Sequence, residues 1–350
     1  MRRAVCLAVV AILAMAAQSP AQQPTGSVEN LRDKKTISDD DRQQMRQWLG
    51  TAVPDLVTGT DPDRRRMVAA REKILNEVRT DANRSPAFVD AMSEETVEAL
   101  KQAEKKAVGP EARLNLMMTV AGLRRLEAVP MLRTALEKDP YPASRYWAAK
   151  GLAMVADVVV EKVVPHVEQD MADSAAKALD TETVGVTLWP LFEMLGKFDH
   201  ERAHDVLADG VVKVAMRLSA SDPMADQMFS EAIRSLERAY GREVRPEGKA
   251  RLLTAYATLC AWLMPPVADP SLMVGLNASL EKITGEGVGF PAAGGPVLQK
   301  LALLEWVEKL VRDKRISKRP SLPPAVEASI RELTTSETPP GAPSTETQTP

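Results

Sequence analysis

Residues 126–152 constrain the fold more than any other stretch of the chain. Ala128-Val129-Pro130-Met131-Leu132 opens a helical segment, Glu137-Lys138-Asp139-Pro140 stops it, and Arg145, Ala148, Ala149 and Leu152 pattern a second one. Met131, Leu132, Ala135 and Leu136 share one helical face, and Pro130 falls in the first turn, where proline's missing N–H would be unpaired anyway. Two short helices joined by a tight turn cannot bury both apolar faces alone. Such hairpins fold by stacking on neighbours of the same kind, and the stacks expose surface for partners more often than a chemical pocket.

The rest of the chain carries the same punctuation. Ser38 is placed to cap a helix with Asp41 as the capping-box acid, and Met45, Trp48 and Leu49 form its apolar stripe. Thr60-Asp61-Pro62, Ser85-Pro86, Gly109-Pro110, Asp222-Pro223, Arg245-Pro246, Asp269-Pro270 and Gly295-Pro296 each precede a segment of helical period. Hydrophobic residues make up 45% of the 350 and aromatics only 4%, so Ala, Leu, Val and Met must supply most of the core. Runs of β-branched residues and tight hairpin turns are scarce, which disfavours sheet. The expected fold is all-α: a solenoid of roughly six to seven helical hairpins spanning residues 38–333 as one body. Periodicity alone leaves an irregular helical bundle or an α/α toroid open. The paucity of aromatics argues against a carbohydrate-processing toroid.

The first 21 residues read as an export signal, with Arg2 and Arg3 as the charged head, an apolar run over 4–17 and Ser19-Pro20-Ala21 as the cleavage site. The expected mature chain begins at Gln22, with a polar lead over 22–37, and works in the periplasm, outside the cell or at its surface. The apolar run is too short to span a bilayer comfortably, and so is 252–264, which ends at Pro265. Cleavage leaves Cys260 as the only cysteine, on an apolar helical face where it reads as a core residue. From 334 the composition turns to Thr, Ser, Pro and Glu, a tail that cannot fold alone. The formal net charge is −3, with acids and bases interspersed, so no nucleic-acid footprint is expected. The basic clusters at 64–66 and 314–319 read as solvated faces. Asn83-Arg84-Ser85 and Asn277-Ala278-Ser279 match the N-glycosylation pattern.

Through Pro130, Leu132, Asp139, Arg145 and Ala149, residues 126–152 resemble a HEAT repeat of the armadillo-type solenoid class. Ser144 stands where that family usually has valine. The resemblance implies that Asp139 and Arg145 belong to a ladder between stacked repeats. A second copy is expected from Pro190 to Asp199, with Asp205 in place of the arginine. Val164-Pro165-His166-Val167 resembles a further first helix, without a following Asp and Arg.

His200-Glu201-Arg202-Ala203-His204 resembles a zincin signature, which would make His200 and His204 metal ligands and Glu201 the general base. Against it, residues 196–199 read as a helix stop and N-cap, putting the motif in an exposed first turn, and Arg202, Asp199 and Asp205 charge its flanks. Gly285-Glu286-Gly287-Val288-Gly289 lacks the strand and lysine of a phosphate loop, and Asp39-Asp40-Asp41 lacks the alternation of a calcium loop. The expectation is an exported binding or scaffold protein without cofactor or catalytic step, engaging a protein or cell-envelope component. A zinc metallopeptidase and a structural cell-surface protein are the alternatives.

Overall fold

The computed structural model describes residues 27–58, 64–79, 83–217, 225–262, 270–286 and 296–316, with Gly289, Ala328 and Arg331. The export signal over 1–21, the turns holding Pro62, Pro223 and Asp269, the side chain of Cys260 and the tail over 334–350 lie outside the described residues. Among those described, every regular element is helical. The α-helices are α1 (Asp39–Ala52), α2 (Pro54–Val57), α3 (Arg64–Val78), α4 (Pro86–Glu104), α5 (Pro110–Leu123), α6 (Val129–Lys138) and α7 (Pro142–Glu161). They continue as α8 (Pro165–Thr181), α9 (Gly185–Leu195), α10 (Glu201–Arg217), α11 (Ala225–Arg242), α12 (Pro246–Trp262), α13 (Pro270–Thr284) and α14 (Pro296–Arg312). No helix among the described residues is long and apolar enough to cross a membrane.

The chain's contacts divide it into two compact units, residues 1–119 and 120–350, with the boundary inside α5. In the first unit α1 packs on α4, and α3 packs on α2 and α4. Met45, Leu49, Leu56, Ile74, Phe88, Met92 and Leu100 fill the space between them. Asn115 knits the polar side of this core: its amide donates to the carbonyls of Leu56 and Met67, and its oxygen accepts from Arg71 at 3.0 Å.

Ser38 forms the expected capping box. Its hydroxyl accepts from the Asp41 N–H, and the Asp41 carboxylate accepts from the Ser38 N–H at 3.0 Å. Lys34, that backbone N–H and the Ser38 hydroxyl together hold Asp41 below the usual carboxylate range despite burial. Ser38→Ala should cost about 1 kcal/mol, read as faster hydrogen exchange confined to the first turn of α1. Within residues 27–37, part of the expected polar lead, two side chains are packed. Val28 and Leu31 lie one helical turn apart and are buried, and Ser85 holds the segment by donating its N–H to Arg32 O and its hydroxyl to Lys34 O.

The second unit is a two-layer, solenoid-like stack. Helices α6, α8, α10, α12 and α14 form one layer, and α7, α9, α11 and α13 the other. Within each layer a helix packs on the one two places ahead, and α6 packs most on α7. Beyond the buried Ser144 the inner face of α7 is small and apolar, with Ala148, Ala149, Leu152, Ala153, Val155, Ala156 and Val159 wholly buried. Gly151 lets α7 approach closely, since a Cβ there would lie 2.9 Å from Ala121 Cβ and 2.7 Å from Leu132.

This layering corrects the expected second copy. Pro190 is not a first-turn proline like Pro130 but lies inside α9, in the layer opposite α6. The helix equivalent to α6 is α8, led by Pro165.

The turn from α7 to α8 is closed by Val163 N–H donating to Val160 O and Val164 N–H to Val159 O. That geometry puts Val163 at φ 52°, where glycine is usual and a β-branched side chain is strained, and leaves it 74% exposed. Val163→Gly should therefore stabilise the second unit by about 1 kcal/mol, the relief of left-handed strain exceeding glycine's extra chain entropy. A raised urea midpoint would show it.

Candidate functional site

The sequence expectations converge on two turns at opposite ends of the second unit. At one end Asp139 follows the last residue of α6, and its carboxylate accepts the Tyr141 N–H at 2.9 Å. Arg145, in the first turns of α7, donates Nη1 to the Asp139 carbonyl at 3.1 Å. Its Nε and Nη2 reach Glu182 of the next equivalent turn, at 2.7 and 3.3 Å. The contact that joins successive turns is therefore Arg145 with Glu182, and the Asp139 charge within its own turn also raises the Arg145 pKa. Burial drives the Glu182 carboxyl upward, but Arg145 and the Val184 and Thr183 N–H groups outweigh it and hold the group below its ordinary value. Arg217, ending α10, donates to the carbonyls of Leu179, Asp180 and Glu182, so the exposed end of α8 is satisfied by a cation. Pro130 lies in the first turn of α6, while Leu132 and Ala149 are wholly buried.

At the other end lie the residues of the zincin-like motif. His200 precedes α10, and its Nδ1 accepts the Arg202 N–H at 3.1 Å, so the ring caps the helix. His204, one turn on, is 2% exposed; its Nδ1 lies 3.0 Å from Glu243 Oε2 and its Nε2 3.2 Å from Phe198 O. Each ring nitrogen of His204 thus faces an oxygen inside the protein, and zinc would need one of them with its lone pair free. Glu201 is exposed and pairs with Arg245. The motif's residues do not fit a zinc centre, and among the described residues no three His, Cys, Asp or Glu side chains converge on a metal-sized site.

Glu243 is the hub of that end. Its Oε1 accepts the Arg245 N–H at 2.9 Å and Nε at 3.1 Å, and its Oε2 takes Arg245 Nη2 at 2.8 Å as well as His204. Burial would raise the Glu243 pKa, yet Arg245, through side chain and backbone, and His204 bring it down to about 2. Arg245, raised in turn by Glu243 and Asp205, also donates to the Glu201 carbonyl and the Asp205 carboxylate on α10. The whole array joins the start of α10 to the turn between α11 and α12.

Glu182, Glu243 and Arg245 were not foreseen. They share a pattern with Asp139: an acid three places before the first residue of the next helix, at Asp139 and Pro142, Glu182 and Gly185, Glu243 and Pro246. In each the carboxylate accepts the N–H two residues on, a side-chain turn that lets one helix stop and another start.

A candidate partner surface lies on the outward faces of α7 and α9. Tyr146, Trp147, Lys150 and Trp189 are half-buried there. Tyr146 and Trp147 meet edge to face at 5.6 Å, and the Lys150 ammonium stands 5.2 Å from the Trp189 ring centre. Lys150 also binds Glu193, 43 residues on, at 3.1 Å. That offset separates Tyr146 from Trp189 too, so these aromatics occupy equivalent places in successive hairpins. In a chain with so few aromatic residues, their gathering at a water-facing surface is the feature that packing alone does not require. No family model matches the chain, and no curated protein matches it.

Proposed function

We propose that this chain is an exported binding protein with no catalytic step, a HEAT-like stack whose α7 and α9 outward faces engage a protein or cell-envelope partner. The observation that carries the reading is the aromatic and cationic cluster of Tyr146, Trp147, Lys150 and Trp189. Tryptophan and tyrosine supply large contact area at little entropic cost, and a lysine held over an indole is already oriented for a partner carboxylate or ring. The chemically richest cluster, around Glu243 and His204, is consumed in holding helix ends together. The N-terminal charged head, apolar run and small-residue cleavage site support the exported address.

The test places a photo-crosslinking residue at Trp147 and, as a control, at Arg234, an exposed position on α11, in chains expressed with their own leader. A discrete crosslinked species from position 147 alone, lost when Trp189→Ala is added, is the expected result. Equal crosslinking from both positions would overturn the assigned face, and recovery of uncleaved chain in the cytosolic fraction would overturn the address.

A further inference from the structure

The first unit contains a groove that the reading above does not use. It runs between the C-terminal halves of α1 and α4, has a volume of about 640 Å³, and is floored by Leu49, Val53, Val57, Ala99 and Ala103. It exists because the facing positions are small. A Cβ built on Gly50 would meet nothing within 4 Å, and Ala99 and Ala103 stand on α4 where longer side chains would close the gap. The volume lies within the ~300–1,000 Å³ usual for small-molecule sites, and the apolar floor is typical of them.

The polar groups around the mouth are committed, with one exception. Arg46 is forked onto Glu95 at 2.7 and 3.0 Å, and Glu95 accepts from Arg42 as well. Glu98 takes Gln102 at 3.2 Å and Lys101 at 3.5 Å, while the Thr58 hydroxyl donates to Asp55 O. Lys106 lines the same groove, and its ammonium has no hydrogen bond or ion pair among the described residues. Its charge is the one the groove leaves unmatched. We infer that the groove binds a single hydrocarbon chain ending in a carboxylate, with the chain along the α1 and α4 floor and the carboxylate on the Lys106 ammonium.

A slot of this kind imposes a length dependence as well as a headgroup preference. Each methylene withdrawn from water strengthens binding about fourfold, so dodecanoate should bind roughly tenfold or more tightly than decanoate. The test is calorimetric titration of the full chain with dodecanoate below its micellar concentration. One saturable site is expected. Lys106→Glu should weaken it about tenfold and Lys106→Arg should keep it. Gly50→Trp, which puts an indole into the groove from a position where its Cβ has open space, should abolish binding. Gly50→Ala should bind like the parent and shows that substitution there leaves the helix intact. Absence of saturable binding, or binding indifferent to Gly50→Trp, would overturn the site. Dodecanol or dodecyltrimethylammonium binding as tightly as dodecanoate would overturn the carboxylate and the role of Lys106.

Discussion

Glu243→Gln should lower the stability of the second unit by about 3–5 kcal/mol, the cost of removing one member of a buried charged set. The Glu243 side chain is 1% exposed and His204 is 2% exposed, so water cannot replace what the substitution removes. The amide can still accept the Arg245 N–H, which confines the loss to the charge that Arg245 and His204 face. The effect should depend on pH with a definite sign. The native carboxyl titrates at about 2 against an ordinary value of 4.5. A depressed pKa means that its contribution is complete above pH 4.5 and disappears as pH falls toward 2, about 3 kcal/mol in all. Urea midpoints followed by tryptophan emission should therefore differ most between parent and variant at neutral pH and converge in acid. Trp147, Trp189 and Trp306 place most of the signal in the affected unit. A gap that stays constant down to pH 2 would mean that shape, not charge, is what Glu243 contributes.

Helix starts were the most legible part of the fold because their chemistry is local. Ser38 with Asp41 and Ser85 with Pro86 act within four residues, and both caps form as the sequence implies. Pro190 shows where the same logic misleads. Proline in a first turn and proline inside a helix look alike until the preceding turn is known, and α9 already starts at Gly185. The division inside α5 left no trace either, since Thr119 and Val120 continue one helical period with no linker between them.

The candidate sites were less legible because they depend on which helix ends meet. His200-Glu201-Arg202-Ala203-His204 has the spacing of a metal motif, but Glu243 lies 39 positions from His204, and nothing local says that the two touch. With 48 acids in the chain, no single Glu stands out. The recoverable signal was positional: an acid three residues ahead of a helix start, repeated at Asp139, Glu182 and Glu243. The aromatic face was hidden for a similar reason. Tyr146 and Trp189 become neighbours in kind only when the 43-residue offset of the stack is known.

A double-mutant cycle on Arg145 compares its link to Glu182 in the next turn with its link to Asp139 in its own turn. Arg145→Met should cost about 3 kcal/mol, because Glu182, with a side chain 3% exposed, keeps its two backbone donors but loses the one cation that pairs with it among the described residues. Glu182→Gln should recover part of that loss when combined with Arg145→Met, giving a coupling of about 2 kcal/mol, within the range for groups in one network. Asp139→Asn should couple to Arg145 more weakly, by about 0.5–1 kcal/mol, since it removes a charge that favours the Arg145 cation. One acceptor for Arg145 is the Asp139 carbonyl oxygen, and Asn keeps both that oxygen and a side-chain acceptor for the Tyr141 N–H. The reverse pattern, strong coupling to position 139 and none to 182, would restore the aspartate-arginine ladder and remove Glu182 from the joint between successive turns. Because this joint fixes the spacing of α7 and α9, the Arg145→Met variant should also loosen the face that carries Trp147 and Trp189. Hydrogen exchange in the first turns of α7 and α9 should rise together, while exchange in α1 and α4 stays at the parent's rate.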